Sequence, residues 1–315
     1  MTATPAVSPR SRPPRARRVT EAFAGYGFIA VPMLLFLIFN ILSLGYAFYI
    51  SLWKWGILGP IAFRGLRNYQ EIATDPIFAK AITNSIVYTI IVVPCQMALG
   101  LLLAVVVNAK IRGRTFFRAS FYFPAIMSSA AITVLWLFIV SPDGLFNHVR
   151  SALGLDPLFQ AFGFGPGWDW IGQVQTALAS VMVLNIWTTS GTIMLFYLAS
   201  LQSIPGELYE AAAIDGANPW QTFWRVTFPL LRPGHYFVAA VSVIGALQMF
   251  DQAVIAGGSV GAPDNALMTI VLYLYNAGFV QFNLSYAAAV GIVLFLVIFA
   301  ATLVQRRLLG GEAAW

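Results

Sequence analysis

Four polar residues recur at helical spacing within the short stretch NIWTTSGT. A helix places them along one face, because they stand at positions i, i+3, i+4 and i+7: Asn185, Thr188, Thr189 and Thr192. Their amide and hydroxyl groups offer several neutral hydrogen bonds and no charge, which is the chemistry that recognition of a sugar requires. Such groups also form hydrogen bonds between helices packed in a membrane. Ligand binding and interhelical packing are therefore both open interpretations of this face.

A second group of candidate binding residues lies further along the chain. Ser242, Gly245 and Met249 share one helical face by the same spacing, and Gln248 lies beside it. Asp251 is the one carboxylate of this apolar stretch, and a carboxylate inside a span is costly enough to require a special environment. Contact with a substrate and a structural role in the sequence MFDQ are both consistent with Asp251. With the first group, these five residues form our candidate substrate-binding set.

The segment ELYEAAAIDGANPWQTFWRVTFPLLRP, residues 207–233, is polar and lies between two apolar runs. Its first half predicts a short helix, with Pro205 at the first helical position and acidic residues near the positive end of the helix dipole. The helix extends to Ile214, because Ala and Leu are strong helix formers. Gly216 then supplies the left-handed residue that ends it.

The second half of this segment predicts another short helix. Asn218 is a suitable N-cap, Pro219 fits the first helical position and Gln221 completes a capping box. Pro229 ends the helix near Phe228 and turns the chain into the next apolar run. The segment is thus predicted to be a helix, a glycine turn and a second helix.

The charges of this segment indicate what it contacts. Its carboxylates belong to Glu207, Glu210 and Asp215, whereas a helix that rests on lipid headgroups carries Lys and Arg on its polar face. The three alanines at 211–213 leave one side bare enough for another backbone to approach closely. An amphipathic surface loop is the alternative, and docking of a cytosolic protein agrees better with these charges.

Composition identifies the environment in which these elements fold. The chain has 315 residues, of which 59% are hydrophobic and 10% charged, and its mean hydropathy is +0.77. Soluble domains carry about 25% charged residues, so the chain is an integral membrane protein. The isoelectric point near 9.6 does not indicate nucleic-acid binding, because the basic residues are distributed as membrane topology requires. The lone cysteine, Cys95, is expected to be buried.

The apolar runs predict an all-α membrane protein, because a spanning helix takes about 20 residues. Six runs are long enough, at about 24–52, 82–108, 119–140, 175–200, 234–256 and 284–305. Residues 267–279 are apolar but too short to cross, and we expect a loop helix or a re-entrant segment there. The predicted transmembrane domain is 21–310, and its polar loop spans 201–232.

The distribution of Lys and Arg predicts the orientation in the membrane. With both termini in the cytoplasm, thirteen of the eighteen basic residues lie on the inner side and five on the outer side: Lys54, Arg64, Arg67, Lys80 and Arg150. This agrees with the positive-inside rule and places the 201–232 loop in the cytoplasm. Residues 1–20 are rich in Pro and Arg, and we expect a disordered cytoplasmic tail.

No residue pattern predicts enzymatic or metal chemistry in this chain. His148 and His235 lack partners at the spacing of metal ligands, and the sequence has no Ser-His-Asp or Cys-His arrangement. A GxxxxGK[ST] phosphate-binding loop does not occur either. We therefore expect no metal, no cofactor and no catalytic activity in this chain.

The segment EAAAIDGANPWQTFWRVTFPLLRP resembles the EAA loop of binding-protein-dependent ABC importer permeases. The family pattern is Glu-Ala-Ala, a Gly after a short gap and a hydrophobic-x-x-Pro ending. Here the matching positions are Glu210, Ala211, Ala212, Gly216, Val226 and Pro229. The triplet Asp215, Gly216 and Ala217 is similar to the sugar-permease branch, which includes maltose-type and glycerol-phosphate-type permeases. GLRNY (65–69), PAIMSSAAITVLWLFIVSPDGLFN (124–147) and MFDQ (249–252) extend the resemblance over most of 24–307.

The resemblance implies a type I ABC importer permease fold with six spans. In similar permeases the EAA loop forms coupling helices that sit in a cleft of the ATPase subunit and pass its closure to the spans as alternating access. It therefore implies a coupling role for seven residues: Glu210, Ala211, Ala212, Asp215, Gly216, Ala217 and Pro229. It also implies a sugar site at the face of the fourth span, although Thr192 stands where an aromatic residue is expected.

The partners that the resemblance implies are a second homologous permease, a dimer of ATPase subunits that binds ATP and Mg, an extracytoplasmic solute-binding protein, a sugar and membrane lipid. The location it implies is the cytoplasmic membrane. None of the predicted spans contains Lys or Arg, so a neutral mono- or oligosaccharide is favoured over a glycerol phosphate. The alternatives are an ion-coupled secondary transporter and an enzyme acting on lipid-linked sugar. The first needs several ionisable residues at the midplane of the membrane, and the predicted spans contain one carboxylate. The second needs a set of catalytic residues, which the sequence does not show.

Overall fold

The computed structural model describes residues 15–56, 59–109 and 112–309, which form mainly helices joined by loops, with one small β-hairpin. Contacts between residues divide the chain into two units, residues 1–49 and residues 50–315. Of the predicted tail, residues 1–14 lie outside the described residues. Residues 15–20 are already helical, so the disordered tail that we predicted extends too far along the chain.

The first unit is one apolar helical run. Helix α1 spans Arg15–Phe36, a π-helical segment spans Leu37–Leu42, and α2 spans Ser43–Ser51, where the second unit has begun. The stretch Gly25–Ser51 is long and apolar enough to cross a membrane, as predicted for 24–52. Its large apolar side chains are exposed, which is typical of a surface that contacts lipid or another protein.

The second unit begins with a small hairpin and a short helix. Strands β1 (Trp53–Gly56) and β2 (Gly59–Phe63) are antiparallel, and the rings of Trp53 and Phe63 lie 5.3 Å apart. Helix α3 follows at Arg67–Thr74. The hairpin is a small exception to the predicted all-α fold.

The body of the second unit consists of helices packed around one long pair. In chain order they are α4 (Pro76–Asn108), α5 (Arg114–Ile126), α6 (Ser129–Val140), α7 (Leu145–Ala152), α8 (Asp156–Ala161), α9 (Val174–Gln202), α10 (Gly206–Ile214), α11 (Pro219–Thr222), α12 (Phe228–Leu230), α13 (Arg232–Leu247), α14 (Asp251–Gly257), α15 (Ile270–Tyr275) and α16 (Leu284–Leu309). π-Helical segments follow α11 at Phe223–Thr227 and α15 at Asn276–Val280. Helix α4 packs along α9, and α13 packs against α4, α9 and α16.

Six helical stretches of the described chain are long and apolar enough to cross a membrane: Gly25–Ser51, Pro76–Asn108, Ser129–Ala152, Val174–Gln202, Arg232–Gly257 and Leu284–Leu308. Five of them coincide with predicted spans to within three residues at each end, except that the second begins six residues before its predicted start. The apolar helix at Ile270–Val280 is too short to cross, as predicted. Its first turn is buried in the core, where Ile270 and Leu272 are fully covered.

The third predicted span, 119–140, is wrong as a single helix. Helix α5 ends at Ile126, the chain is extended at Met127, and α6 begins at Ser129. Pro124 weakens the last turn of α5 because it has no backbone N–H to donate. Helix α5 instead lies close against α9, where a Cβ on Gly191 would come within 2.4 Å of the Phe121 carbonyl oxygen. The apolar stretch that can cross here runs from 129 to 152.

The fifth predicted span is interrupted within MFDQ. Helix α13 ends at Leu247, and α14 begins only at Asp251. A break at this depth leaves carbonyl groups without helical partners, which is tolerated only where other protein groups satisfy them. Here the Thr269 hydroxyl donates a 2.9 Å hydrogen bond to the Met249 carbonyl oxygen. Residues on either side of the break therefore do not share one helical face.

The lone cysteine also differs from expectation. Cys95 is exposed on the surface of the chain rather than buried in its core. It lies on α4, immediately after Pro94 and one residue before Gln96, which is buried. Buried and exposed positions alternate around this helix, so an apolar context in sequence does not specify which face a residue occupies.

Asp75 joins the start of α4 to the short helix α15. Its Oδ1 accepts hydrogen bonds from the backbone N–H groups of Ile77 (2.7 Å) and Phe78 (3.1 Å), and its Oδ2 accepts from the Tyr273 hydroxyl at 2.6 Å and more weakly from that of Tyr286. Burial alone raises the pKa of Asp75, but these hydrogen bonds outweigh it and hold the pKa below its ordinary value. The ionised carboxylate is therefore part of the folded state.

We expect Asp75→Ala to destabilise the second unit by about 2 kcal/mol, from the lost helix cap and the unpaired Tyr273 hydroxyl. Because the pKa of Asp75 is lowered on folding, the wild type has this contribution at neutral pH and loses it as the pH falls through the folded pKa, below 3.8. Thermal unfolding in detergent at neutral and acidic pH measures the difference. Asp143→Ala, at an exposed aspartate, is the matched control. Equal stability of both variants at neutral pH would contradict this role.

Candidate functional site

A polar cavity of about 230 Å³ lies between α4, α9 and α13, inside the helical body of the second unit. It is lined by Gln96, Asn185, Thr189, Thr192, Ile193, Phe196, Val241, Ser242, Gly245 and Ala246. Its lining contains amide and hydroxyl groups but no ionisable side chain. Three spans that are separated in sequence thus contribute to one uncharged site.

Hydrogen bonding within the cavity leaves several groups free for a ligand. The Thr189 hydroxyl lies 2.7 Å from Gln96 Oε1 and 2.6 Å from the Asn185 carbonyl oxygen. Because Gln96 uses its oxygen in this contact, its amide N–H groups remain as donors. The Ser242 hydroxyl is buried and has no partner within the described chain. A buried polar group without a partner is costly, so this hydroxyl is a candidate ligand contact.

The cavity brings together five of the predicted substrate residues. Asn185, Thr189 and Thr192 come from α9, and Ser242 and Gly245 come from α13. A Cβ added to Gly245 would meet nothing within 4 Å, so this glycine leaves one wall open. Polar side chains of α9 and α13 thus line one cavity together with apolar side chains of the same helices.

Four predicted substrate residues lie outside the cavity. Thr188 is at the edge of the α9 face, is 8% exposed, and donates to the Asn185 carbonyl oxygen at 3.2 Å. The break after α13 separates the other three from Ser242: Gln248 and Asp251 are exposed elsewhere, and Met249 is buried in the apolar core. Asp251 is the first residue of α14, where a carboxylate is favoured by the helix dipole. This position is consistent with a structural role for Asp251, and its contact with a substrate stays a prediction.

Gln96 is the polar lining residue that the sequence interpretation missed. It lies in the middle of α4 and is only 4% exposed, so its amide is held among helices. A polar residue within an otherwise apolar span is costly, so its presence in the sequence could have indicated a functional residue. Phe196, one turn beyond Thr192 on α9, adds an aromatic wall of the kind that the resemblance suggested at Thr192 itself.

A second candidate site is the polar loop between α9 and α13. The first helix, α10, follows Pro205, which stands at the N-cap rather than at the predicted first position. It ends in a Schellman motif, in which the Ala217 N–H donates to the Ala212 carbonyl oxygen at 2.9 Å and the Gly216 N–H donates to that of Ala213. Gly216 has φ +76°, the left-handed conformation predicted for it.

The second helix of the loop has the predicted cap. Asn218 and Gln221 form a reciprocal capping box at 2.8 and 3.0 Å, and Pro219 occupies the first turn. The helix extends through the π-helical segment into α12, so Pro229 lies inside a short turn rather than at the end. Trp224 contacts the rings of Trp220, Phe223 and Phe228 at 5.0–5.7 Å. These aromatic contacts all lie within the second helix of the loop and link its successive turns.

The exposed surface of this loop is suited to protein contact. Glu207, Glu210 and Asp215 are exposed and form no ion pair within the part of the chain that the structure describes. Asp215 lies at the C-terminal end of α10, where the helix dipole disfavours a negative charge. Its carboxylate therefore does not stabilise this helix. Ile214 is 87% exposed and Trp220 is 70% exposed beside these charges. Large exposed apolar groups within a polar loop are typical of a docking surface.

The seven predicted coupling residues divide between the surface and the interior of the loop. Glu210, Ala211, Asp215, Gly216 and Pro229 are exposed, Ala217 is half-buried, and Ala212 is buried. Tyr209 and Thr227 link the two helices through a 3.4 Å contact between their hydroxyl oxygens. Ala212 thus packs inside the loop, whereas Ala211 is a small residue on its surface.

Helical spans around an uncharged polar cavity, together with an ordered exposed loop, define a polytopic membrane transport subunit. The chain belongs to the binding-protein-dependent transport system inner membrane component family, whose model matches residues 96–309. It is therefore a multi-pass permease subunit of the cytoplasmic membrane and not itself an enzyme.

Curated relatives share most of their length with this chain. A probable ABC transporter permease protein of Bacillus subtilis is 34% identical over 281 residues, which is 88% of this chain and 93% of the relative. The multiple sugar-binding transport system permease protein of Streptococcus mutans is 34% identical over 297 residues, covering 93% and 97%. The arabinooligosaccharides transport system permease protein of Bacillus subtilis is 33% identical over 289 residues, covering 91% and 88%.

The fold also matches a solved transporter. A crystal structure of a bacterial ABC transporter involved in the import of the acidic polysaccharide alginate aligns with a TM-score of 0.78, covering 95% of this chain and 99% of that chain. Sequence identity is 21%, so the match shows the fold alone. The predicted ABC importer permease fold is confirmed.

Proposed function

We propose that this permease moves a neutral mono- or oligosaccharide into the cytoplasm by alternating access driven by ATP. The observation that carries the proposal is the cavity between α4, α9 and α13, with free amide and hydroxyl groups and no charged side chain. A sugar presents many hydroxyl groups, each of which exchanges hydrogen bonds with water for hydrogen bonds with such a lining. Phe196 offers an apolar wall for the face of a sugar ring.

A neutral substrate fits this lining better than an anionic one. A glycerol phosphate requires cationic or multiple backbone N–H donors, and the cavity lining includes no Lys or Arg. Two of the relatives are named for the transport of sugars. The glycerol-phosphate alternative therefore lacks a site for its phosphate within the described cavity.

The loop at 201–232 is the proposed coupling element. We place it in the cytoplasm, with both chain termini, on the distribution of Lys and Arg. Its exposed Glu210, Asp215, Ile214 and Trp220 suit a cleft on an ATPase subunit, which binds ATP and Mg. Closure of two ATPase subunits then moves α9 and α13 through the two loop helices that join them. A second homologous permease and an extracytoplasmic solute-binding protein complete the proposed assembly.

Substrate-stimulated ATP hydrolysis by the reconstituted complex tests the neutral-sugar proposal. The complex is supplied with its binding protein and with neutral oligosaccharides, an acidic oligosaccharide or glycerol phosphate. We expect stimulation by a neutral sugar, and we expect Ser242→Ala to weaken it about fivefold through the loss of one hydrogen bond. Ser120→Ala, at an exposed serine of α5 outside the cavity, is the matched control. Stimulation by glycerol phosphate alone would contradict the proposal.

A further inference from the structure

The second unit also contains a groove of about 550 Å³, separate from the polar cavity. It lies between α4, α9, α13 and the end of α16, and its walls include Pro94, Leu101, Tyr197, His235 and Leu308. The two cavities use different faces of α4, because Gln96 lines the polar cavity and its neighbours Met97 and Ala98 line the groove. The groove is therefore not part of the proposed sugar site.

The groove has a basic residue at one end and apolar walls along the rest of its length. Arg232 is the first residue of α13 and lies at the same end of the helices as Leu308, near the end of α16. From Leu101 to Pro94 the wall of α4 rises seven residues, or about 10 Å along the helix. Met97, Ala98 and Leu101 make this wall apolar. The groove thus extends from a cation into a region as deep as most of one leaflet.

The groove contains two polar side chains beside Arg232, and one of their atoms, His235 Nε2, is buried without a hydrogen-bond partner in the described chain. Tyr197 and His235 contact each other, with the Tyr197 hydroxyl 2.9 Å from His235 Nδ1. Arg232 is exposed and forms no ion pair with any carboxylate of the described residues. Arg306 and Arg307, in the last turn of α16, add further positive charge beside Leu308. A free cation at the mouth and apolar walls behind it are complementary to an anionic amphiphile.

We propose that this groove binds an anionic phospholipid, with the phosphate at Arg232 and an acyl chain along the α4 wall at Leu101, Ala98 and Pro94. The ordered lipid joins the first turn of α13 to α4 and α16 at the point where the polar loop enters the spans. The proposal does not depend on which sugar the permease carries.

The native Cys95 provides a direct test. It is the only cysteine of the chain, is exposed, and adjoins Pro94 in the groove wall. The purified full chain, carrying a bimane fluorophore on Cys95, is placed in nanodiscs that contain brominated phosphatidylglycerol or brominated phosphatidylcholine. We expect half-maximal quenching at about one fifth of the mole fraction for phosphatidylglycerol, since one basic residue near a membrane surface contributes about a factor of five.

Charge variants distinguish lipid binding in the groove from general electrostatic attraction of the protein to anionic lipid. Arg232→Gln is expected to remove the preference for phosphatidylglycerol, Arg232→Lys to retain it, and Arg114→Gln, at an exposed residue of α5 outside the groove, to leave it unchanged. Equal quenching by the two lipids in the wild type would overturn the proposal, as would an unchanged preference in folded Arg232→Gln. Complete loss of quenching on assembly with the second permease would also overturn it, because the groove would then be a subunit interface.

Discussion

Glu210→Lys is expected to abolish sugar-stimulated ATP hydrolysis by the assembled transporter. Glu210 is exposed on α10 and has no ion-pair partner in the described chain, so its charge is available to the proposed ATPase cleft. Reversing a charge that pairs across an interface costs at least about 3 kcal/mol, which corresponds to a loss of at least about a hundredfold. Co-purification of the ATPase subunit and the rate of stimulated hydrolysis both measure this loss.

Glu207→Lys is the matched control for this charge reversal. Glu207 lies in the first turn of the same helix and is also exposed, but it is outside the EAA pattern. Its reversal costs the helix only a few tenths of a kcal/mol to about 1 kcal/mol through the dipole. A Glu210→Lys transporter that assembles and hydrolyses ATP like the Glu207→Lys transporter would show that the loop does not couple through this carboxylate.

Thr192→Trp is expected to block sugar uptake while leaving assembly intact. Thr192 lines the 230 Å³ cavity, and an indole at this position would occupy much of the volume that a sugar ring needs. Loss of two neutral hydrogen bonds alone lowers affinity by about thirtyfold, and steric exclusion adds to this. Uptake of radiolabelled sugar into proteoliposomes, measured beside the basal ATPase rate, separates substrate binding from assembly.

Ala199→Trp provides the comparison for Thr192→Trp. Ala199 lies two turns further along α9, is exposed and does not line the cavity, so the same indole there leaves the sugar site open. We expect this control to transport at a rate close to that of the wild type. If Thr192→Trp transported equally well, the polar face of α9 would be a packing surface and not a substrate site.

The spans and the loop followed from short-range patterns in the sequence. Apolar length predicted five spans closely, and the cap residues Gly216, Asn218 and Gln221 predicted both loop helices. These features depend on residues within a few positions of one another, so local chemistry determines them.

Features that depend on distant residues were not predictable in the same way. The break after Leu247 is stabilised by Thr269, which is 20 positions from the Met249 carbonyl that it satisfies. A regular helical face through Ser242 and Met249 was therefore expected where the chain in fact leaves the helix. Gln96 joins the cavity only because α4 packs along α9, which helical periodicity within one span does not reveal.

Sugar uptake by proteoliposomes that contain the complete transporter shows most directly which energy source drives transport. Wild-type complex is supplied with binding protein and neutral sugar outside and with either ATP or a sodium or proton gradient across the membrane. We expect accumulation of sugar only with ATP inside, and none from either gradient alone. Accumulation driven by a gradient without ATP would contradict the importer account and support an ion-coupled transporter.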